Sequence, residues 1–444
     1  MSRAAFAAVF ALGCRTGELA ERLDPAELGR ALDEAFRIDL TSVDVTLRVE
    51  PEVSLTGRAE LRFVMRPGQQ RAVFHFDPEL HTEIPLVQLF HRLELDGERL
   101  DPTSPDDLVQ LRFEGSTEDT FELQRALAAD GEHLLVVEWA VPGGFEAPRF
   151  TGPGWVHSMV NDSKGVGNEG LFPTIDSPEE LALHTVTIEV DDPRPYTAAG
   201  SGRLTSWVAP DGLQVFQFDS ERPISSYTML VAVMPAADVT TEAFEVEGVD
   251  VTVVSSVGPG KTAEAVERTR DVIGRLVPDF GPFPMPRLSV LLVDWRGGGM
   301  EYYGATLTGM GAVTHEVVHM YWGCSAVNRT WRDTWLDEAI NVWWERDEDM
   351  DLNPSGYSSD LRGGRTPIEP AFDGRAYGRG SKMFADVAER AGGKDVLVEI
   401  LADVHQRRQW EPYTTDELVD DLVEALDDPT LEEDFYRWVD TLDP

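Results

Sequence analysis

His315 and His319 stand four residues apart in His315-Glu316-Val317-Val318-His319, and Glu338 follows after eighteen more residues. On a helix, residues four apart share a face, so both imidazoles can point at one place. A catalytic zinc takes three N or O ligands and keeps its fourth position for water. His315, His319 and Glu338 supply that set, and one Zn2+ per chain is expected. Glu316 lies on the same helix but displaced sideways, where it reaches the water rather than the metal and serves as general base. The pentapeptide alone also fits two histidines on a solvated helix face. The later carboxylate, in Trp335-Leu336-Asp337-Glu338, decides for the metal. Cys324 follows closely, but with three ligands assigned it reads as a small buried filler.

Two helices must position these groups. The first is expected over 312–322, preceded by Gly309, Gly311 and Ala312 and stopped by Gly323. The second is expected over 334–346, with Thr334-Trp335-Leu336-Asp337 fitting a capping box that puts Glu338 in the first turn. Further helices are read at 380–391, 394–407, 415–426 and 431–439, with Gly392-Gly393 separating two of them. The acidic run from Glu345 to Asp349 reads as a solvated helix end. Upstream, Val249–Val254 and Leu288–Val293 read as strands flanking an amphipathic helix, Lys261–Leu276.

From Phe36 to Pro235 the pattern changes to alternation, as in Val43–Val49, Arg58–Val64, Leu134–Glu138, Thr185–Val190 and Leu213–Phe218. Many short strands with turns such as Asp211-Gly212 predict an antiparallel sandwich. The fold class is therefore α+β: an N-terminal antiparallel β-sandwich over 37–240, then a mainly helical domain over 245–444.

With 38 basic against 80 acidic residues, the net charge is −42. Such a surface repels nucleic acid and anionic headgroups, and the scattered acids read as a solvated shell. Two cysteines in 444 residues exclude a disulfide framework. Arg3, the apolar stretch Ala4–Leu12 and Ala11-Leu12-Gly13-Cys14 describe a lipoprotein-type signal over 1–14, with Cys14 lipidated after cleavage. The plainer reading is a buried N-terminal helix and a cytoplasmic protein. With the signal, the protein is expected to be exported, lipid-anchored or periplasmic in a bacterium, touching a membrane only through Cys14.

In this order the motifs are recognisable. The chain resembles the gluzincin zinc aminopeptidases, of the aminopeptidase N type. Beside the zinc motif, Gly298-Gly299-Met300-Glu301 is similar to the family's exopeptidase motif. Tyr377-Gly378-Arg379-Gly380 is similar to its Tyr-x-Lys-Gly, and Leu171–Pro178 to its Phe-Pro-Cys-x-Asp-x-Pro segment. The resemblance implies a thermolysin-like catalytic domain in a compact form without the helical C-terminal domain. It implies that Glu301 holds the α-amine of a peptide with a free N-terminus and that Tyr377 donates to the oxyanion. The backbone at Gly298 and Gly299 would pair with an extended substrate. Tyr302 stands where the family has Asn, and Arg379 where it has Lys. The expected activity is that of a zinc aminopeptidase. An open-cleft metallo-endopeptidase and an inactive surface-anchored scaffold are the alternatives.

Overall fold

The computed structural model describes residues 38–51, 53–66, 71–76, 86–112, 119–128, 131–142, 154–158, 170–175, 177–296, 298–331, 333–346, 361 and 376–439. The signal-like segment with Cys14, Asp176 of the Leu171–Pro178 motif and residues 347–349 of the acidic run lie outside them.

The first part of the chain is dominated by a nine-stranded sheet. Its main strands are β1 (Ile38–Glu50), β2 (Ser54–Met65), β3 (Phe90–Leu95), β4 (Glu98–Arg99), β5 (Glu132–Pro142), β6 (Leu181–Val190), β7 (Arg203–Val208) and β8 (Gln214–Asp219). They lie in the order β7-β8-β6-β1-β2-β5-β3-β4. Alternation sets the faces: Val43, Val45, Leu47 and Val49 of β1 are buried while Asp44, Arg48 and Glu50 are not. Phe63 of β2 meets Phe74, which stacks on Phe121, so aromatic rings join this sheet to a three-stranded one.

The pairing is not antiparallel throughout, as the pattern suggested. β1 and β6 run parallel at the centre, in register from Ser42↔Leu183 to Val49↔Val190. A tight turn can join only antiparallel neighbours, and here the whole of residues 51–180 intervenes. Periodicity fixes the face of a strand but says nothing of its neighbour's direction.

The second part opens with a five-stranded mixed sheet. It contains β9 (Thr240–Val246), β10 (Val249–Ser255), β11 (Arg287–Leu292), β12 (Gly299–Tyr302) and β13 (Ala305–Thr308), in the order β9-β10-β11-β13-β12. Helix α1 (Pro259–Phe280) crosses between the parallel strands β10 and β11, burying Ala265, Val272, Ile273, Leu276 and Phe280. Proline at its start and Gly281 just beyond its end, at φ 90°, mark its limits. β12 is an edge strand of this sheet, pairing with β13 among the described residues.

Six α-helices follow among the described residues: α2 (Val313–Val318), α3 (Trp335–Glu345), α4 (Ser381–Ala391), α5 (Lys394–Arg408), α6 (Thr415–Leu426) and α7 (Leu431–Val439). α2 is shorter than its sequence predicts. The chain leaves the helix at His319 and folds back through Cys324 N–His319 O and Ala326 N–Tyr321 O bonds, with Gly323 at φ 110°. The capping box expected at Thr334 does not form either. Thr334 already has helical backbone angles, and its hydroxyl donates to Trp331 O. Asp333 is committed elsewhere, to Thr330 and to the backbone of Thr415. A complete capping box sits instead at Thr414 and Glu417, opening α6.

Gly57 of β2 lies opposite Trp139 of β5, and a Cβ there would stand 2.1 Å from the indole Cζ2. The ring fills the space that a side chain would need. Gly57→Ala is therefore expected to cost about 1–3 kcal/mol of unfolding free energy through overpacking. Urea titrations of wild type and variant would measure it, and equal midpoints would refute the contact's importance.

Candidate metal centre

α2 is too short to be stable alone, so packing holds it: Val313, Val317 and Val318 are buried. α3 is anchored by Trp335, Leu336, Ile340 and Trp343 and turns Glu338 toward α2. Three atoms then converge. His315 Nε2 lies 2.8 Å from Glu338 Oε2 and 3.2 Å from His319 Nε2, and His319 Nε2 lies 3.4 Å from the same Glu338 oxygen. Zinc bonds of 2.0–2.1 Å in a tetrahedron set donors about 3.3 Å apart. The donor set and its spacing fit the ion that the sequence pattern implies.

The other ring nitrogens are fixed. His319 Nδ1 donates to Trp322 O at 3.1 Å, and His315 Nδ1 bonds Glu345 Oε1 at 2.8 Å. A carbonyl only accepts, so His319 Nδ1 carries a proton, and a metal that displaces any proton from Nε2 would meet that atom's lone pair. This explains the early turn after His319: a continued helix would carry Trp322 O away from that ring. Glu345 is not the solvated acid expected from its run of charges. It stands seven residues after Glu338, two turns along one helix face, and that spacing was the available signal.

A second group of possible donors, Glu301, His319 and Asp337, also converges. Asp337 is already committed: its carboxylate accepts from Asn328 Nδ2 at 2.9 Å and from the Glu338 backbone at 2.7 Å. It braces the start of α3 from behind, a role with no sequence signature.

β12 runs past this cluster. Alternation turns Gly299 and Glu301 to one face and Gly298, Met300 and Tyr302 to the other. A Cβ on Gly299 would stand 2.3 Å from Glu316 Oε1, so the bare backbone lies directly on that carboxylate. Gly298 instead makes room for the Trp295 indole, and its carbonyl accepts from Gly309 N. Tyr302 is buried with Met300, Tyr227 and Leu230 in a separate apolar cluster. The departure at 302 therefore lies on the face turned away from the histidines.

Glu316 and Glu301 are both buried, and the Glu316 carboxylate makes no hydrogen bond among the described residues. Burial, with Glu301 and Glu338 adding to it against the two histidines, pushes the Glu316 carboxyl up to about 8. Burial likewise raises Glu301. It would lower His319, but Glu301 and Glu338 outweigh it and raise that imidazole to about 10. The cluster as a whole is rich in negative charge and favours a cation.

Tyr377 sits in a π-helical turn, Ala376–Gly380, ahead of α4. Its hydroxyl donates to Glu338 Oε1 at 2.9 Å, and its ring lies 5.7 Å from that of His315. Burial, followed by the charge of Glu338, holds the phenol well above its usual range, so it keeps its proton. Arg379 points elsewhere, its Nη2 donating to Arg437 O and tying the turn to α7. Cys324 is buried, as expected.

No family model matches the chain. Its fold is that of the M1 zinc metallopeptidases: the enzyme of this class from Deinococcus radiodurans aligns with a TM-score of 0.68 at 22% identity, over 92% of this chain and 95% of that one. Among curated sequences, aminopeptidase M1-A of Oryza sativa subsp. japonica is 24% identical over 305 residues, 58% of this chain and 34% of that protein. Human glutamyl aminopeptidase is 25% identical over 58% of this chain and 32% of its own length. The chain thus spans about a third of the length of these relatives. The resemblance to gluzincin aminopeptidases drawn from the motifs holds in both comparisons.

The protein is expected to carry one zinc per chain after dialysis, and His315→Ala or Glu338→Ala to carry less than about a tenth of that. Metal analysis by mass spectrometry would measure it. Chelation should also lower the melting temperature of wild type and leave the variants unmoved, since only the native state binds.

Proposed function

We propose that this chain is a zinc-dependent aminopeptidase that removes residues from the N-termini of peptides. The observation that carries this reading is the meeting of His315, His319 and Glu338 with two buried carboxylates, Glu316 and Glu301, on a glycine-lined edge strand. Zinc, held by those three ligands, would polarise the scissile carbonyl and make an attacking water more acidic. Glu316, displaced sideways from the two histidines on α2, accepts the water's proton and delivers it to the leaving nitrogen. Tyr377 donates its hydroxyl hydrogen to the oxygen on which negative charge develops. Glu301 projects from the same face of β12 as Gly299 and pairs with the substrate's ammonium group, which orients an N-terminus and rejects a chain interior. The outer edge of β12, unpaired among the described residues, offers its backbone to an extended peptide.

The domain arrangement belongs to the same reading: a β-sandwich over 37–240 and a thermolysin-like catalytic domain over 245–444. The change near residue 240, from the nine-stranded sheet to a mixed sheet followed by helices, supports it. So does the Deinococcus radiodurans enzyme, a variant of which is described bound to a Tyr-Ser-Ala substrate. Export with a lipid on Cys14 rests on residues 1–14 alone.

The test is a matched pair of fluorogenic peptides, one with a free N-terminus and one acetylated, offered to wild type and to Glu316→Gln. Cleavage of the free peptide alone, lost in the variant while zinc is retained, is the expected result. Equal cleavage of both would make the protein an endopeptidase, and cleavage of neither would leave a scaffold. Tyr377→Phe should lower kcat about a hundred- to a thousandfold, at unchanged zinc content, as expected on removing one oxyanion donor.

A further inference from the structure

The last turn of α3 carries Glu345, yet nothing in its own sequence caps it. No basic residue lies in that turn, and Arg346, which follows, is extended at φ −86°, ψ 128°. The final carbonyls of a helix need donors from outside, and a cation there also complements the helix dipole. Lys394 supplies both. Its Nζ donates to Trp344 O at 2.7 Å and to Arg346 O at 2.8 Å, bracketing Glu345 from either side in the sequence. The ammonium also lies 5.7 Å from the Trp343 ring centroid.

Lys394 is placed for this by its own backbone. It is the first residue of α5, after Gly392 at φ 97° and Gly393 at φ 139°. Two positive-φ residues in succession, the first left-handed helical and the second extended, let α4 stop and α5 start within one tight turn, and only glycine adopts them cheaply. A second restraint acts on the same helix turn from α1. Trp344 donates through Nε1 to Asp279 Oδ2 at 2.8 Å, and Arg275 lies 4.6 Å over its ring.

We propose that Lys394 is a positioning residue for the metal centre, acting through Glu345 on His315. By fixing the end of α3 it holds the Glu345 carboxylate 2.8 Å from His315 Nδ1. That bond sets the tautomer and ring angle of His315, and hence the direction of its Nε2 lone pair. The inference rests on His315 being a zinc ligand and goes beyond it, since Lys394 stands outside every motif of the sequence.

Zinc affinity, measured by competition with a chromophoric chelator, reads the role without any turnover. Glu345→Gln is expected to raise the zinc dissociation constant about ten- to a hundredfold, as loss of an outer partner does. Lys394→Met should raise it about tenfold, at the lower end of that range. Lys394→Arg, which keeps donors for both carbonyls, should restore most of the affinity. In the Glu345→Gln background, Lys394→Met should add little, because its route to the metal is already cut. Full additivity of the two substitutions, or wild-type affinity in Lys394→Met, would overturn the proposal. A residue needed only for general stability would weaken zinc binding in both backgrounds. Wild type that takes up no zinc would instead overturn the metal-centre reading, so the two failures are distinguishable.

Discussion

Four carboxylates, Glu301, Glu316, Asp337 and Glu338, crowd around two imidazoles where little water reaches. Removing charged groups from water is costly unless they are paired or hold a cation. Much of the catalytic half of the molecule can be read as a response to that constraint. Asn328 and a backbone amide donate hydrogen bonds to Asp337, and the histidines face Glu338 with their Nε2 atoms. Among the described residues the Glu316 carboxylate has no such hydrogen-bond partner, and a metal, a water and an ammonium group would complete the balance.

Position and chemistry are supplied by different parts of the chain. The groups that would react come from one short helix, one helix start, one edge strand and one π-helical turn. None of these elements is long, and each is held by packing or by side chains from elsewhere. Gly299 shows how tightly they fit, since its lack of a side chain brings the β12 backbone against Glu316. Glycine there serves close approach, while Gly298 beside it serves the seating of an indole.

What the sequence revealed follows from what periodicity encodes. His315, His319 and Glu338 could be placed together because helical spacing and ligand chemistry depend on local order alone. The helices from Ser381 onward were legible for the same reason: amphipathic stripes broken by Gly392-Gly393 and Asp427. Glu345 was misread because a carboxylate in a charged run looks solvated until its histidine partner, thirty residues earlier, is brought beside it. The Thr334 box failed because the Thr334 hydroxyl donates to Trp331 O and the Asp337 carboxylate is taken up by Asn328, nine residues upstream, a use that no local rule contains. The parallel pairing of β1 with β6 was invisible for a like reason, as it is settled by how the chain crosses over and not by the composition of either strand.

That pairing has a consequence for how the protein is made. β1 can meet β2 as soon as both leave the ribosome, but its other edge waits for residues 181–190. At 5–20 residues per second, the intervening stretch takes roughly six to twenty-six seconds to synthesise. Throughout that time a thirteen-residue strand presents an open row of amides and carbonyls beside a sheet face rich in valine and leucine. Nascent chains of this protein are thus most exposed to mispairing and to chaperone capture before the centre of their largest sheet can close.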